Sequence, residues 1–245
     1  MNFFAIQKLL LFILLLVVLL LSSNVSAFSS VFGIGALLFR PPGTKTLPSL
    51  GEVESLTEAA DFFTDAFWNN KVGGGIKVLK QTQRKSLLGS QINEFKKRYG
   101  SGRYGNRDRT TSELVICRNG KNEVMGCCGV EVDVIYEDRL NGLRTKSPAP
   151  LMSNLAVGNK FRRKGIAEEL VREVEDMVRK KWGYEEIYLY VEKRNRSAVK
   201  LYSKMGYRQF WEDDTAATLL PMKGGSMRSV QTTLVCMKKK LNKNS

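Results

Sequence analysis

A strand, a basic turn and a helix follow one another in Asn154-Leu155-Ala156-Val157-Gly158-Asn159-Lys160-Phe161-Arg162-Arg163-Lys164-Gly165-Ile166-Ala167. The turn brings several backbone N–H groups together with the N-terminus of the helix, and such an arrangement binds phosphate. Gly165 allows a ligand to approach the backbone closely, small Ala167 leaves room beside it, and the cations of the turn attract anions. The stretch therefore predicts an anion site, and it has neither a Walker loop nor a dinucleotide-binding glycine pattern.

The segments around this turn alternate between the periods of helices and strands. Helices are predicted at Leu56 to Trp68, within Ile76 to Tyr99, at Gly165 to Lys181 and at Ser197 to Met205. Strands are predicted at Glu113 to Arg118, Val124 to Ile135, Leu151 to Val157, Ile187 to Val191, Tyr207 to Trp211 and Val230 to Met237. Asn119-Gly120-Lys121-Asn122 predicts a hairpin turn, and Tyr136 to Pro150 is expected to form an excursion before the next strand. The order predicts an α/β domain with a central mixed sheet flanked by helices, not a doubly wound one.

A second motif, Asn195-x-Ser197-Ala198-x-x-Leu201-Tyr202-x-x-x-Gly206-Tyr207, follows the turn. With Arg162-x-x-Gly165-x-Ala167 it makes the chain resemble the GNAT acetyltransferases, whose pyrophosphate loop has the pattern [QR]-x-x-G-x-[GA]. The resemblance covers roughly Leu56 to Leu241 and is sharp from Leu151 to Tyr207. It implies the GNAT acyl-CoA N-acyltransferase fold and acetyl transfer from acetyl-CoA to a primary amine. Within this family the chain most resembles plastid-type protein N-acetyltransferases and, more distantly, bacterial ribosomal-protein N-terminal acetyltransferases.

The resemblance also implies roles for individual residues. Backbone groups of Leu155, Ala156 and Val157 would pair with pantetheine like an added strand, and the Val157 N–H would polarise the thioester carbonyl. Asn195 would fix the pantetheine arm, and Tyr202 would protonate the departing thiolate after direct attack by the acceptor amine. Without the resemblance, Tyr202 would be read as a core aromatic of its helix. The pyrophosphate would be held by Arg162, Arg163, Lys164, Gly165, Ile166 and Ala167.

The composition excludes several chemistries. The chain has no histidine, which excludes Ser-His-Asp and Cys-His catalysis and His-ligated metal sites, so no metal is expected. Cys117, Cys127, Cys128 and Cys236 lie in apolar, strand-like context without C-x-x-C spacing, which predicts buried free thiols. Adjacent Cys127 and Cys128 should point to opposite faces of a strand. The formal charge of +15 predicts attraction to an anionic partner but does not identify it.

No general base is evident. The related bacterial enzymes place a Glu on the strand before the second motif, where this chain has Tyr190. Glu192 on the same strand face, Glu131, Asp133 and a water chain are the alternatives. An α-amine with a pKa of about 8 is substantially neutral in a mildly alkaline compartment whereas lysine at about 10.4 is not, so the missing Glu favours N-terminal amines. Acceptor specificity is expected from the basic or Gly-rich segments Asn69 to Gly75, Lys96 to Arg109 and Tyr136 to Pro150, which suit an open protein-binding groove.

The first fifty residues are predicted to be a targeting segment. Leu9 to Leu21 is an apolar run that follows Lys8 and precedes Val25-x-Ala27, the layout of a signal peptide over residues 1–27. Residues 28–50 contain no acidic residue, and with Phe28 they resemble the second half of the bipartite plastid presequence of algae such as diatoms. The resemblance implies that residues 51–245 form a single GNAT domain in the plastid stroma, without a stable membrane anchor after cleavage. Plain secretion and an uncleaved signal anchor are the alternatives.

Three functions stay open from the sequence alone. The first is a plastid protein N-acetyltransferase that acts on N-termini and also on lysines. The second is a small-amine acetyltransferase acting on an arylalkylamine or a polyamine. The third is an inert domain of the same fold that binds nucleic acid or the ribosome. The intact pyrophosphate-loop pattern and Tyr202 argue against the third, because an inert copy has no need of a proton donor.

Overall fold

The computed structural model describes residues 38–39, 53–69, 71, 73, 76–100, 111–138 and 144–241. The predicted signal peptide lies outside these residues, as does the transit-like segment apart from Leu38 and Phe39. Among the described helices, none is long and apolar enough to cross a membrane.

The secondary structure within this part of the chain follows the predicted order closely. The helices are α1 (Val53–Trp68), α2 (Gln81–Tyr99), α3 (Ile166–Lys180) and α4 (Arg196–Lys204), and a 3₁₀ turn covers Asn159–Phe161. The strands are β1 (Leu38–Phe39), β2 (Ser112–Arg118), β3 (Val124–Asp138), β4 (Arg144–Val157), β5 (Glu186–Glu192), β6 (Arg208–Asp213), β7 (Ala217–Pro221), β8 (Met227–Gln231) and β9 (Leu234–Lys240).

The main sheet has the strand order β1-β2-β3-β4-β5-β9-β6. The pairs β1–β2 and β4–β5 are parallel and the other pairs are antiparallel, so the sheet is mixed. One apolar cluster joins one face of the sheet to α3 and α4, and a second joins the other face to α1 and α2. The predicted fold class, a mixed sheet flanked by helices, is confirmed.

The cysteines occupy the predicted environment. Each of the four thiols is free and buried. Cys127 lies in the cluster formed with α1 and α2, and Cys128 lies in the cluster formed with α3. Their predicted placement on opposite faces of one strand is therefore confirmed.

Helix α3 has the features that its sequence predicted. Its buried residues recur at helical spacing along one face, and Glu168 and Glu169 occupy its first turn, where acidic side chains favour the positive end of the helix dipole. Arg179 and Lys180 occupy the last turn. Gly183, with a φ of 73°, follows the helix and adopts the left-handed conformation that glycine tolerates after a C-terminus.

The predicted excursion from Tyr136 to Pro150 is wrong for most of its length. Strand β3 continues to Asp138, and β4 begins at Arg144 and pairs with it in a long hairpin. Pro148 and Pro150 are accommodated because β5 pairs with β4 only from Leu151 onward. The two prolines therefore lie outside the β4–β5 pairing, where their missing N–H groups cost no hydrogen bond to β5.

The predicted strand from Val230 to Met237 is also wrong. The segment divides between β8 and β9, and β8 pairs with β7 in a separate two-stranded hairpin that the sequence analysis missed. This hairpin is attached to α2, because Gln83 Nε2 donates to the carbonyls of Met222 and Ser226 at 3.1 and 2.8 Å.

Candidate active site

Strands β4 and β5 lie side by side for only a short distance. Leu151 pairs with Tyr188 and Met152 pairs with Leu189, whereas β4 stays paired with β3 as far as Val157. Beyond Met152 the two strands diverge. The divergence opens a gap in the sheet, and on the side that faces the gap neither strand pairs with another strand of the described chain.

The backbone N–H and C=O of Val157 point into this gap. The Gly158 N–H donates to the Met125 carbonyl at 3.0 Å, which makes Val157 a non-hydrogen-bonded position of the β3–β4 ladder. Because these positions alternate along an antiparallel pair, the backbone of Ala156 is bonded to β3 and that of Leu155 faces the gap. Leu155 and Val157 therefore present main-chain groups to the gap, and the Val157 carbonyl also accepts from Arg162 Nε.

A β-bulge shapes the β4 edge of the gap. The β3–β4 register shifts between Cys127 and Gly129, and Asn154 has a φ of 54°, a left-handed conformation that Asn tolerates better than most residues. Asn154 Nδ2 donates to Tyr99 Oη at 2.8 Å and to Ser153 Oγ at 3.3 Å. A Cβ at Gly129 would lie 2.0 Å from the Tyr99 hydroxyl, so the tyrosine rests on the glycine backbone.

Sequence analysis missed both members of this contact. Tyr99 and Gly129 do not belong to either family motif, although a glycine within a strand is a signal of a bulge or of close backbone approach. That signal marks Gly129 but does not identify the residue that approaches it.

The turn after β4 presents unpaired N–H groups. Arg163 has a φ of 64° and Gly165 a φ of 83°, and Gly165 is the N-cap of α3 without a side-chain capping hydrogen bond. The intrahelical bonds begin with the Glu169 N–H, which donates to the Gly165 carbonyl at 3.1 Å. The N–H groups of residues 166–168 therefore have no acceptor within the helix and are available to an anion.

The Arg162 guanidinium makes two hydrogen bonds to backbone carbonyls of the protein. Its Nε donates to the Val157 carbonyl at 3.1 Å, and its Nη2 donates to the Ala66 carbonyl at 2.9 Å. Ala66 lies in the last turn of α1, where carbonyls have no N–H donor within the helix. The guanidinium thus ties α1 to the end of β4, although Arg162 is exposed, as are Arg163 and Lys164.

Asn195 lies just beyond β5 and caps α4. Its Oδ1 accepts a hydrogen bond from the Ala198 N–H at 3.3 Å, as is typical of an N-cap asparagine. Only the Nδ2 end of the amide is left to donate to a ligand. The predicted contact to pantetheine is therefore compatible with the capping role.

Tyr202 lies in the core between the sheet and α3. Its side chain is 7% exposed, and its ring meets the Tyr207 ring edge-on with centroids 5.7 Å apart. Burial raises the pKa of Tyr202, and the nearby Cys128 thiol raises it further. A phenol that stays protonated at neutral pH can donate a proton.

The candidate bases are each engaged with hydrogen-bond donors. Glu131 is 1% exposed and bonds to Arg98 Nη1 at 2.7 Å. Asp133 Oδ1 accepts from the Val134 N–H at 2.7 Å. Glu192 forms an ion pair with Lys71, which follows α1. It also accepts hydrogen bonds from Arg194, which follows β5, and from Thr218 of β7. Glu131 and Glu192 are therefore held by cationic side chains, whereas Asp133 is held only by the adjacent backbone N–H.

Comparisons with known proteins identify a family for this chain. The model of the acetyltransferase (GNAT) family matches residues 84–207, just over half of the chain. The chain is 37% identical over 89 residues to GCN5-related N-acetyltransferase 4, chloroplastic, of Arabidopsis thaliana. That match covers 36% of this chain and spans only 30% of the relative's length.

Solved structures with a similar arrangement include two acetyltransferases. A GNAT family acetyltransferase from Elizabethkingia anophelis with acetyl-CoA bound is 20% identical and has a TM-score of 0.39, covering 53% of this chain and 76% of that one. An N-acetyltransferase from Staphylococcus aureus Mu50 is 15% identical and has a TM-score of 0.46, covering 78% of this chain and 95% of that one.

Proposed function

Because this chain belongs to the GNAT acetyltransferase family, we propose that it transfers an acetyl group from acetyl-CoA to protein N-terminal α-amines and, more slowly, to lysine ε-amines. One observation carries the proposal, the gap between β4 and β5 that ends at the uncapped N-terminus of α3. An extended ligand with an anionic end fits such a gap.

The described residues fit both parts of acetyl-CoA. Pantetheine is extended and carries amides, so it can bond to strand backbone such as that of Leu155 and Val157 as an added strand does. The pyrophosphate requires several N–H donors at one point, and the α3 N-terminus supplies them. Exposed Arg163 and Lys164 add attraction for the phosphates.

The reaction needs two contributions from the protein. The Val157 N–H, which points into the gap, is a donor for the thioester carbonyl oxygen as negative charge develops on it. The acceptor amine attacks the carbonyl carbon, the C–S bond breaks, and the thiolate leaves. Tyr202 gives its proton to that thiolate, and the amine loses a proton to solvent or to a water chain.

The ion pairs of Glu131 and Glu192 favour an acceptor that is already neutral. With these two carboxylates held by cations, an ammonium would have to lose its proton to Asp133, to solvent or to a water chain. An α-amine, with a pKa of about 8, meets this condition in a mildly alkaline compartment far better than a lysine with a pKa of about 10.4. We therefore rank N-terminal amines above lysines.

The plastid stroma is the proposed location. The presequence resemblance supports it, and so does the name of the Arabidopsis relative, which is described as chloroplastic. Expression of residues 1–52 fused to a fluorescent protein in a diatom tests it. Secretion of the fusion would contradict the proposal.

The decisive experiment incubates the full chain with acetyl-CoA and three sets of acceptors. These are peptides with free N-termini, N-blocked peptides with an internal lysine, and small amines such as polyamines and arylalkylamines. Site-resolved mass spectrometry of the products should show α-amine acetylation at the highest rate.

Two other outcomes would redirect the assignment. Acetylation of small amines alone would overturn the acceptor class while leaving acetyl transfer intact. No transfer to any acceptor, together with nucleic-acid binding that has a steep salt dependence and is not displaced by coenzyme A, would indicate an inert binding module.

A further inference from the structure

Two cations and one carboxylate meet where α1 ends beside the end of β5. Lys71 Nζ lies 3.5 Å from Glu192 Oε1, and Arg194 Nε donates to Glu192 Oε2 at 2.7 Å. Thr218 Oγ1, on β7, donates to Glu192 Oε1 at 2.8 Å and accepts from Lys71 Nζ at 3.0 Å. The Arg194 guanidinium also lies against Gly73, where a Cβ would be 2.6 Å from Nη1. We call Lys71, Glu192, Arg194 and Thr218 the Lys71–Arg194 cluster.

The charges of this cluster do not balance. Glu192 offsets one positive charge, so Lys71 and Arg194 together leave one in excess. Their side chains are only 9% and 28% exposed, and Arg194 Nη2 is a buried donor with no hydrogen-bond partner among the described residues. A buried donor without an acceptor costs free energy, and most such groups in native proteins have a partner.

The pKa of Lys71 responds to the same excess of positive charge. Burial lowers the pKa of Lys71, Arg194 lowers it further, and Glu192 opposes the change. The ammonium lies 4.3 Å from the centroid of the Trp68 ring and 4.8 Å from that of Phe67, and these contacts hold it in place beside the cluster. An anion beside Arg194 would relieve the repulsion between the two cations.

The cluster lies on the side of the sheet from which an acceptor would approach. Glu192 shares its strand face with Tyr190, and Leu189 and Val191 point to the opposite face, in the cluster that contains Tyr202. The proton donor for the leaving thiolate is thus on one face and the Lys71–Arg194 cluster on the other. An amine that attacks from the face of α1 passes this cluster on its way to the gap.

We infer that the Lys71–Arg194 cluster is an acceptor subsite that binds a carboxylate located close to the reacting amine, with Arg194 Nη2 as its donor. The inference rests on the proposed function and narrows its substrate class to amines with a neighbouring acidic group. The carboxylate can belong to an Asp or Glu side chain at a peptide N-terminus or to a free amino acid, and both sources share this chemistry.

The test compares acid and amide acceptors that have the same shape. The full chain is given acetyl-CoA and peptide pairs that differ only in Asp against Asn, or Glu against Gln, within the first two residues. Free glutamate and glutamine amide, which has no carboxylate, form a second arm that distinguishes a small acceptor from a peptide. The acid members should have a kcat/KM about ten- to a hundred-fold higher, the range for a hydrogen bond to a charged group.

A variant and a matched control assign the preference to Arg194. Arg194→Met should bring the acid-to-amide ratio close to one by slowing the acid acceptors alone. Arg194→Lys should keep part of the preference, because it retains the charge. Arg208→Met, which removes an exposed arginine of β6, should leave the ratio unchanged. Unfolding curves and rates with the amide peptides show whether each variant is folded.

The outcomes separate this inference from the proposed function. Equal rates for acid and amide acceptors in the unmodified chain would overturn the subsite while leaving acetyl transfer intact. If no peptide is acetylated, the proposed function fails, and calorimetric binding of the same peptides decides the subsite. Tighter binding of the acid peptides than of the amide peptides, lost in Arg194→Met, would support the subsite. Equal affinity of the unmodified chain for acid and amide peptides would overturn it.

Discussion

At the residue scale, Tyr202 allows packing to be separated from proton transfer. Tyr202→Phe keeps the ring against Tyr207 and removes only the hydroxyl, so kcat should fall about 10²- to 10⁴-fold, the contribution typical of a general acid. The KM for acetyl-CoA should stay the same. The value of kcat/KM should rise as the acceptor amine loses its proton at about pH 8. Because burial raises the pKa of Tyr202, deprotonation of this tyrosine should not lower kcat/KM at pH values just above that.

Tyr207→Phe is the control for this measurement. It removes a hydroxyl from the adjacent ring of the same core cluster and should leave kcat unchanged. Steady-state kinetics at saturating acetyl-CoA compares the two variants. Normal turnover in Tyr202→Phe would contradict the assigned role.

Gly129 tests the support of the bulge. In Gly129→Ala the new Cβ would lie 2.0 Å from the Tyr99 hydroxyl, so Tyr99 must move and release Asn154. We expect a loss of about 1–3 kcal/mol in the free energy of unfolding, as for overpacking, together with a higher KM for acetyl-CoA.

The control for this variant is Gly89→Ala. Gly89 lies within α2, with no atom within 4 Å of its added Cβ, so the substitution should stabilise the protein by about 0.5–1 kcal/mol without changing KM. Urea unfolding and acetyl-CoA titrations provide both readouts. If Gly129→Ala kept the original KM, the bulge would not shape the cofactor site.

At the element scale, Arg162 connects α1, β4 and the turn. Arg162→Ala should raise the KM for acetyl-CoA about ten-fold at low and at high salt, because it removes two hydrogen bonds that position the turn rather than a free charge. Arg162→Lys should restore little, since an ammonium lacks the planar fork that reaches both carbonyls.

Lys164→Ala provides the electrostatic contrast. Lys164 is exposed, so its removal should raise KM less, and the effect should shrink at ~0.5 M salt because exposed charges are screened. Measuring KM at two salt concentrations distinguishes the variants. A salt-sensitive Arg162→Ala effect would show that this arginine binds phosphate directly.

Elements were predictable where several local signals agreed. For α3 the apolar stripe, the charge distribution and the glycines at both ends indicate the same bounds, and the structure confirms them. In β4 the prolines suggested a break, but they lie where β4 has no strand at its other edge. Strand β7 is short and ends in Pro221, so its period was too weak to reveal the hairpin with β8.

The site divides in the same way. The two motifs indicated the turn, Asn195 and Tyr202, because each motif depends on residues close together in the chain. Lys71 and Arg194 meet only through the tertiary fold, and no periodicity or motif connects them. Sequence-based reasoning could therefore indicate that the segment Asn69 to Gly75 is basic or Gly-rich, but not that its Lys71 meets Arg194.

At the scale of the whole molecule, folding is coupled to the protonation of buried thiols. Burial raises the pKa of Cys117, Cys127 and Cys236 to about 12, whereas an unfolded thiol titrates at about 8.5. Between these values the folded state binds more protons than the unfolded state. The stabilisation is therefore complete below about pH 8.5 and declines as the pH rises towards 12.

The free energy of unfolding should consequently fall between pH 8.5 and 10, with each thiol contributing up to about 1.4 kcal/mol per pH unit. Urea unfolding in the presence of a reductant measures it. Other groups titrate in this range, so the informative quantity is the difference between the unmodified chain and Cys236→Ala, whose curve should be flatter by the share of one thiol. Parallel curves would mean that Cys236 has nearly the same pKa in the folded and unfolded states, contrary to its complete burial.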